Sequence, residues 1–251
     1  MKHGAKALLF PAIATAIAFA ILLSLGFWQL RRLTEKEALI ARVESRVDKP
    51  PQALPGPEQW RALKPDDYDY RHIRLTGHFI ANIYALIFAK APDGFGTEPG
   101  FNVLTLFKTS SGGSLFVDRG FLPSSKATPE TLHNISEQDV ELLGHLRAPQ
   151  SRNAFTPNDT PERLIWFTRD PVAIAAALGL QDAAPFTLSL EPTEVARIDD
   201  QPRQTPVAPQ FVNNHLSYAV TWFALAGALL VIFAMVARAR LRQPNDRAQG
   251  Q

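Results

Sequence analysis

Two uncharged apolar runs set the first constraint on this chain. One extends from about Ala7 to Phe27, the other from about Leu216 to Ala237. Each has roughly the 20 residues that an α-helix needs to cross a bilayer. The polar stretch between them, roughly 185 residues, is long enough for one or two domains of its own. Overall composition conceals this division, because 46% hydrophobic residues is an ordinary value for a soluble protein. The triplet "AFA" at Ala18–Ala20 fits a signal-peptidase pattern, but it lies inside the run, which continues as "ILLSLGFW". A signal h-region spans only about 7–15 residues, so the first run reads as an uncleaved helix. Met1–Lys6 is too short for an Arg- and Ser-rich transit peptide, which points to a bacterial membrane.

Charge follows the same division. Lys2, Lys6, Arg238, Arg240, Arg242 and Arg247 stand against Asp246 in the tails. Residues 31–215 hold the other 20 basic and 23 acidic side chains. The pI near 9.0 thus reflects short tails beside membrane helices and gives no reason to expect nucleic acid as a partner. "ARARLR" follows the second run at once, and no Lys or Arg lies between Gln204 and Ala237. The positive side is cytoplasmic. The expected layout is a cytoplasmic tail (1–6), a first transmembrane helix (7–27), an extracytoplasmic domain (28–214), a second transmembrane helix (215–237) and a cytoplasmic basic tail (238–251). Ala12, Ala16, Ala20 and Ser24, with Ala224 and Ala228, recur at every fourth residue, which predicts helix–helix contact in lipid through small side chains.

After the first run, Thr34 and Glu37 fit a capping box, and nothing breaks a helix before Pro50 and Pro51. An amphipathic stalk into water is expected, then a turn-rich linker at "PPQALPGPEQW". In "YRHIRLTGHF", Ile73, Leu75 and Phe79 share one face, while His72, Arg74, Thr76 and His78 share the other, with Gly77 at a bend or bulge. "IYALIFA", "FNVLTLFK", "GSLFVDRGFL", "VELLGHL", "LIWFT" and "FTLSLEP" continue the strand-like series. "DPVAIAAALG" is a short helix capped by Asp170 and stopped by Gly179. "QPRQTPVAPQ" reads as a stiff connector back to the membrane. The fold class is therefore an α+β membrane protein: two transmembrane helices flanking a mainly antiparallel-β extracytoplasmic domain.

Catalytic signatures are missing: there is no G-x-S-x-G, H-E-x-x-H, P-loop or G-x-G-x-x-G. Cysteine is absent as well, which removes disulfides, thiolate metal sites and thiol nucleophiles. "DYDYRH" reads as a solvated loop entering a strand. His72 and His78 share a strand face but lie roughly 20 Å apart, so they cannot share a metal, and His133 and His145 look isolated. "VDRGFLP" places Asp118 and Arg119 at a strand end. The plain reading is a surface turn; the chemical one is Arg119 gripping a carboxylate such as a haem propionate. Phe211, His215, Tyr218 and Trp222 share one helical face at the mouth of the second run. That stripe fits an interfacial aromatic belt, and it also fits a haem site with His215 as axial ligand to the iron.

Several of these stretches together resemble the Surfeit-locus family of cytochrome c oxidase assembly factors. "LGFWQLRRLTEK" matches the family's first motif at Leu25, Gly26, Trp28, Gln29, Arg32 and Lys36. "YRHIRLTGHF", "EPGFNVLTLF", "LFVDRGFLP", "GHLRAP" and "FTPND" follow in order, and "NNHLSYAVTWFALA" closes the series around His215. Departures are Phe121 in place of a frequent Trp, Leu106-Phe107 where a Pro-containing run is common, and Ser217 in place of a frequent Gln. The resemblance implies a chaperone of the bacterial inner membrane that binds haem a through His215, the histidine of the last motif; Tyr218, Trp222 and Arg119 are the residues whose own chemistry would suit that ligand. Its implied partners are haem a synthase, cytochrome c oxidase subunit I and membrane lipid. A non-haem scaffold for an oxidase assembly intermediate is the alternative. A doubly tethered periplasmic enzyme is a third reading, which the lack of an acid–base or nucleophile constellation disfavours.

Overall fold

The computed structural model describes residues 2–192, 202–204 and 213–242. The chain divides into two compact units: residues 1–42 with 210–251, and residues 43–209.

The first unit contains helix α6 (His215–Arg242) and most of helix α1 (Lys2–Val47). Both helices are long and apolar enough to cross a membrane. Helix α1 has 46 residues, or about 69 Å at 1.5 Å per residue, far more than one span. The expected extension is therefore present, but no helix starts at Thr34. Its Oγ1 donates to Arg31 O at 2.8 Å, as hydroxyls do within a continuous helix, so the capping box does not form.

The helix contact also differs from expectation. Ala16, Ala20, Ser24, Ala224 and Ala228 are exposed, whereas Gly26, Ala219 and Ala226 are buried. A four-residue step overshoots a full helical turn by about 40°, so such a stripe winds away from a neighbour. Ala219 and Ala226 are seven apart with Phe223 between them, a spacing that stays on one face. A Cβ on Gly26 would meet Phe223 Cε1 at 2.5 Å, and Phe27 meets the Phe223 ring edge-on at 5.4 Å between centroids.

The second unit is mostly sheet. In chain order it holds β1 (Gln52–Ala53), α2 (Pro57–Trp60), α3 (Pro65–Tyr68), β2 (His72–Ala89), β3 (Gly100–Thr109), β4 (Ser114–Pro123), α4 (Pro129–His133), β5 (Val140–Arg147), β6 (Ile165–Trp166), α5 (Pro171–Ala177) and β7 (Ala183–Leu190). The pairings return to their start: β2 with β3, β3 with β4, β4 with β7, β7 with β5, and β5 with β2. Closure gives these strands partners on both sides and leaves no open edge among them. Antiparallel pairs dominate, as expected, although β4–β7 and the short additions β1 and β6 on β2 are parallel.

Strand β2 makes closure possible. Its residues His72–Gly77 pair with β5 and Gly77–Ala89 pair with β3, with a register shift between Ile80 and Tyr84. "IYALIFA" is thus the second half of β2, not a separate strand. Ile73, Leu75 and Phe79 point into the core, as their alternation predicts. The stretch expected as a linker is part of the fold: Trp60 is 3% exposed, donates from Nε1 to Pro55 O at 2.7 Å, and packs on Phe186. Helix α5 follows its sequence signals, with Asp170 accepting from Val172 N and Ala173 N and Gly179 at φ 72°. Of "QPRQTPVAPQ", only residues 202–204 are described, and Arg203 pairs with Phe121 of β4 there.

Candidate functional site

His215 is the first residue of α6, and Asn213 Oδ1 accepts its backbone N–H at 3.4 Å. Its Nδ1 lies 2.7 Å from Gln29 Oε1 of α1, within the same unit. An amide oxygen only accepts, so Nδ1 carries a proton, and in the neutral ring the lone pair is on Nε2. Among the described residues Nε2 has no hydrogen-bond partner. A histidine whose tautomer is fixed by an oxygen on one nitrogen is the usual form of a metal-ligating imidazole.

Tyr218 and Trp222 follow at three and seven residues, the same helical face. Tyr218 is 56% exposed and Trp222 is half-buried, so among the described residues this face is only partly covered. Phe211, the fourth member of the stripe, lies outside the described residues. On α1, Trp28 is exposed and Arg32 lies over its ring at 5.9 Å. An apolar aromatic surface with one available nitrogen at its end fits a flat, hydrophobic, metal-centred ligand. Residue type and spacing alone do not mark Gln29 as a site member. Its signal was its place in the first family motif.

Arg119 belongs to the second unit and is no surface turn. It lies inside β4 at 2% exposure, and Asp118 beside it is also buried. Its Nη1 donates to Leu132 O at 3.1 Å and reaches Thr105 Oγ1 at 3.4 Å, while Nη2 donates to Asn134 O at 3.4 Å. These bonds tie β4 to α4 and the residue after it. Gly120 makes no turn either. Its φ of 115° allows the Arg203 backbone to approach where a Cβ would sit 2.6 Å away. The surface-turn reading failed because alternation cannot distinguish a strand end from a strand buried on both faces.

Asp118 faces a buried polar cluster that the sequence did not signal. Burial pushes its carboxyl above the usual range, while the Arg169 charge and the Gly120 N–H pull it back. Burial likewise lowers Arg169, with Arg147 adding to the effect. "DYDYRH" is not a solvated loop. Tyr68 and Tyr70 are buried, and Asp69 accepts from Ala148 N at 2.9 Å. Burial raises the Tyr68 hydroxyl to about 12, with Asp69 contributing. His78 pairs with Asp139 at the surface, and His133 lies edge-on to Tyr84. His145 is not isolated, because it stacks on His72 at 4.8 Å between centroids.

Comparison with known proteins gives a consistent result. The SURF1 family model matches residues 16–227. The SURF1-like protein of Rickettsia bellii is 28% identical over 227 residues, covering 90% of each chain. Surfeit locus protein 1 of Mus musculus is 33% identical over 218 residues, covering 81% of this chain and 68% of the mouse protein. Surfeit locus protein 1 of Homo sapiens is 33% identical over 219 residues, covering 81% and 70% respectively.

Proposed function

This chain belongs to the SURF1 family, and from that premise we propose that it is a cytochrome c oxidase assembly factor that holds haem a and assists its insertion into subunit I. One observation carries the haem reading: His215 Nδ1 is fixed by Gln29 at 2.7 Å, leaving Nε2 available at the end of a partly exposed aromatic face. The haem supplies the redox centre that the oxidase requires. The chain supplies binding and orientation. His215 would hold the iron through Nε2, Gln29 would fix the imidazole's tautomer and ring direction, and Tyr218 and Trp222 would offer the porphyrin apolar contact. Arg119 was expected to grip a propionate. Its guanidinium donates to Leu132 O and Asn134 O within the sheet domain.

The proposed setting is the bacterial inner membrane, with both termini cytoplasmic and the sheet domain periplasmic. Helix α6 ends in Arg240 and Arg242, which favour the cytoplasmic side. An alkaline phosphatase fusion at Gln251 is expected to be inactive, and activity there would overturn the orientation. Haem a synthase is the proposed donor and subunit I the acceptor.

The deciding experiment is purification from cells that make haem a. Wild type is expected to show a Soret band, and His215→Ala to lose it while reaching the membrane at normal levels. Losing one interfacial histidine makes the segment no more polar, so insertion persists. Tyr218→Phe keeps the aromatic wall and is expected to keep the haem. A wild type without haem that still supports oxidase assembly would favour the non-haem scaffold.

A further inference from the structure

A second pair of imidazoles lies in the sheet unit, far apart in sequence. His72 opens β2 and His145 lies directly across from it on β5. Their rings stack at 4.8 Å with 13° between planes. Glu191 follows β7, held by its N–H to Leu143 O at 3.3 Å. The sheet therefore brings two histidines and a carboxylate together, with a ligand atom of each within 4.8 Å of the others.

The outer nitrogens of both rings are already engaged. His72 Nδ1 lies 2.8 Å from Lys49 O, and His145 Nε2 lies 3.2 Å from Val47 O. Both carbonyls belong to the C-terminal end of α1 and the turn after it, where backbone oxygens lack helical partners. Carbonyls only accept, so each of these nitrogens donates, and in the neutral rings each remaining nitrogen carries a lone pair. Those remaining atoms, His72 Nε2 and His145 Nδ1, are buried and form no hydrogen bond. Glu191 Oε1 is 2.9 Å from His72 Nε2, without hydrogen-bond geometry. His145 is 3% exposed. With both rings neutral, two lone-pair nitrogens and a carboxylate thus lie together, a set that a metal cation satisfies as a proton on His72 otherwise would.

We propose that His72, His145 and Glu191 bind one borderline divalent metal ion of the zinc class. Two imidazoles and one carboxylate suit zinc and its neighbours, and do not suit calcium or magnesium, which take oxygen ligands. Carbonyl acceptors behind both imidazoles are the outer-sphere partners that orient metal-binding histidines. Zinc–nitrogen bonds are about 2.1 Å, so a tetrahedral ion draws its ligand atoms to about 3.4 Å apart and turns the two stacked rings out of parallel, because each lone pair lies in its ring plane. His72 also lines a cavity of about 280 Å³ with Arg46, Lys49, Asp67 and Arg71. Bound there, the ion would fasten β2, β5 and the end of β7 beneath the last turn of α1. The proposal does not depend on the haem reading, because none of its residues contributes to the His215 site.

The test uses the full chain in detergent, without a polyhistidine tag and stripped by chelator. Cobalt(II) is titrated as the spectroscopic probe, then displaced with zinc. Wild type is expected to take up one equivalent with visible d–d absorption, and zinc is expected to bleach it. Glu191→Gln removes a partly exposed ligand with little risk to folding and should weaken binding at least about 10-fold. His145→Gln should weaken it further. His215→Ala should bind cobalt like wild type, even though it is the variant expected to lose haem. Absence of stoichiometric uptake by wild type would sink the proposal and leave the cluster as a helix cap with an ordinary His72–Glu191 ion pair. Unchanged affinity in Glu191→Gln would equally overturn it, by placing the ion elsewhere.

Discussion

The helical unit and the sheet unit both set an imidazole against an oxygen that fixes its tautomer, but they do so by different routes. His215 is held by one side chain, Gln29, at the partly exposed start of a helix. His72 and His145 are held by backbone carbonyls, and His145 is almost wholly buried. The first arrangement needs only two helix positions and lies within two short motifs. The second needs a closed sheet and a helix end brought together. A site on a helix face is therefore readable from local spacing, while a site on paired strands is readable only once the register is known.

The largest effect that would break this comparison lies in the sheet unit. Phe186 is fully buried and packs on both Trp60 and Tyr68. Phe186→Ala is expected to cost about 3–5 kcal/mol and to unfold this unit first. Thermal melts followed by near-ultraviolet circular dichroism check it, and a loss under 1 kcal/mol would mean the core is not built around this ring. Next is the helical unit. Gly26→Val drives a side chain into the Phe223 ring and is expected to cost about 1–3 kcal/mol through overpacking. The readout is protease resistance of the helix pair in detergent, with the sheet unit's melt unchanged.

Gln29→Ala sharpens the contrast between the two imidazole settings. It leaves His215 in place but frees its ring, so haem a affinity is expected to fall about 10–100-fold, a smaller loss than with His215→Ala. Equal Soret titrations for Gln29→Ala and wild type would show that the 2.7 Å bond has no orienting role.

The smallest effect is alkaline. Burial raises the Tyr68 hydroxyl to about 12, so the folded state disfavours the phenolate. The sign follows from linkage: stability from this group is intact below its unfolded value near 10 and is lost as pH rises from there through about 12. Tyr68→Phe should flatten the decline in melting temperature between pH 9.5 and 12. Parallel curves for the two proteins would show that Tyr68 ionises as freely in the fold as outside it.

The two apolar helices, the unbroken run of α1 toward Pro50, the alternation in β2 and the capping of α5 are all legible along the chain. Each depends on residues within a few positions of one another, where periodicity and caps act directly. His215, Tyr218 and Trp222 shared a predicted face for the same reason. Only the tertiary structure decided the rest. Closure of the sheet buried Arg119, which looks like a turn residue in isolation, and made Trp60 part of the core rather than of a linker. It set His145 against His72, although 73 positions separate them in the numbering. The helix contact likewise fell on Gly26, Ala219 and Ala226, not on the more abundant alanines, because a seam between two helices follows whichever spacing stays on one face. Burial and cross-strand pairing are properties of the closed sheet, and no window along the chain contains them.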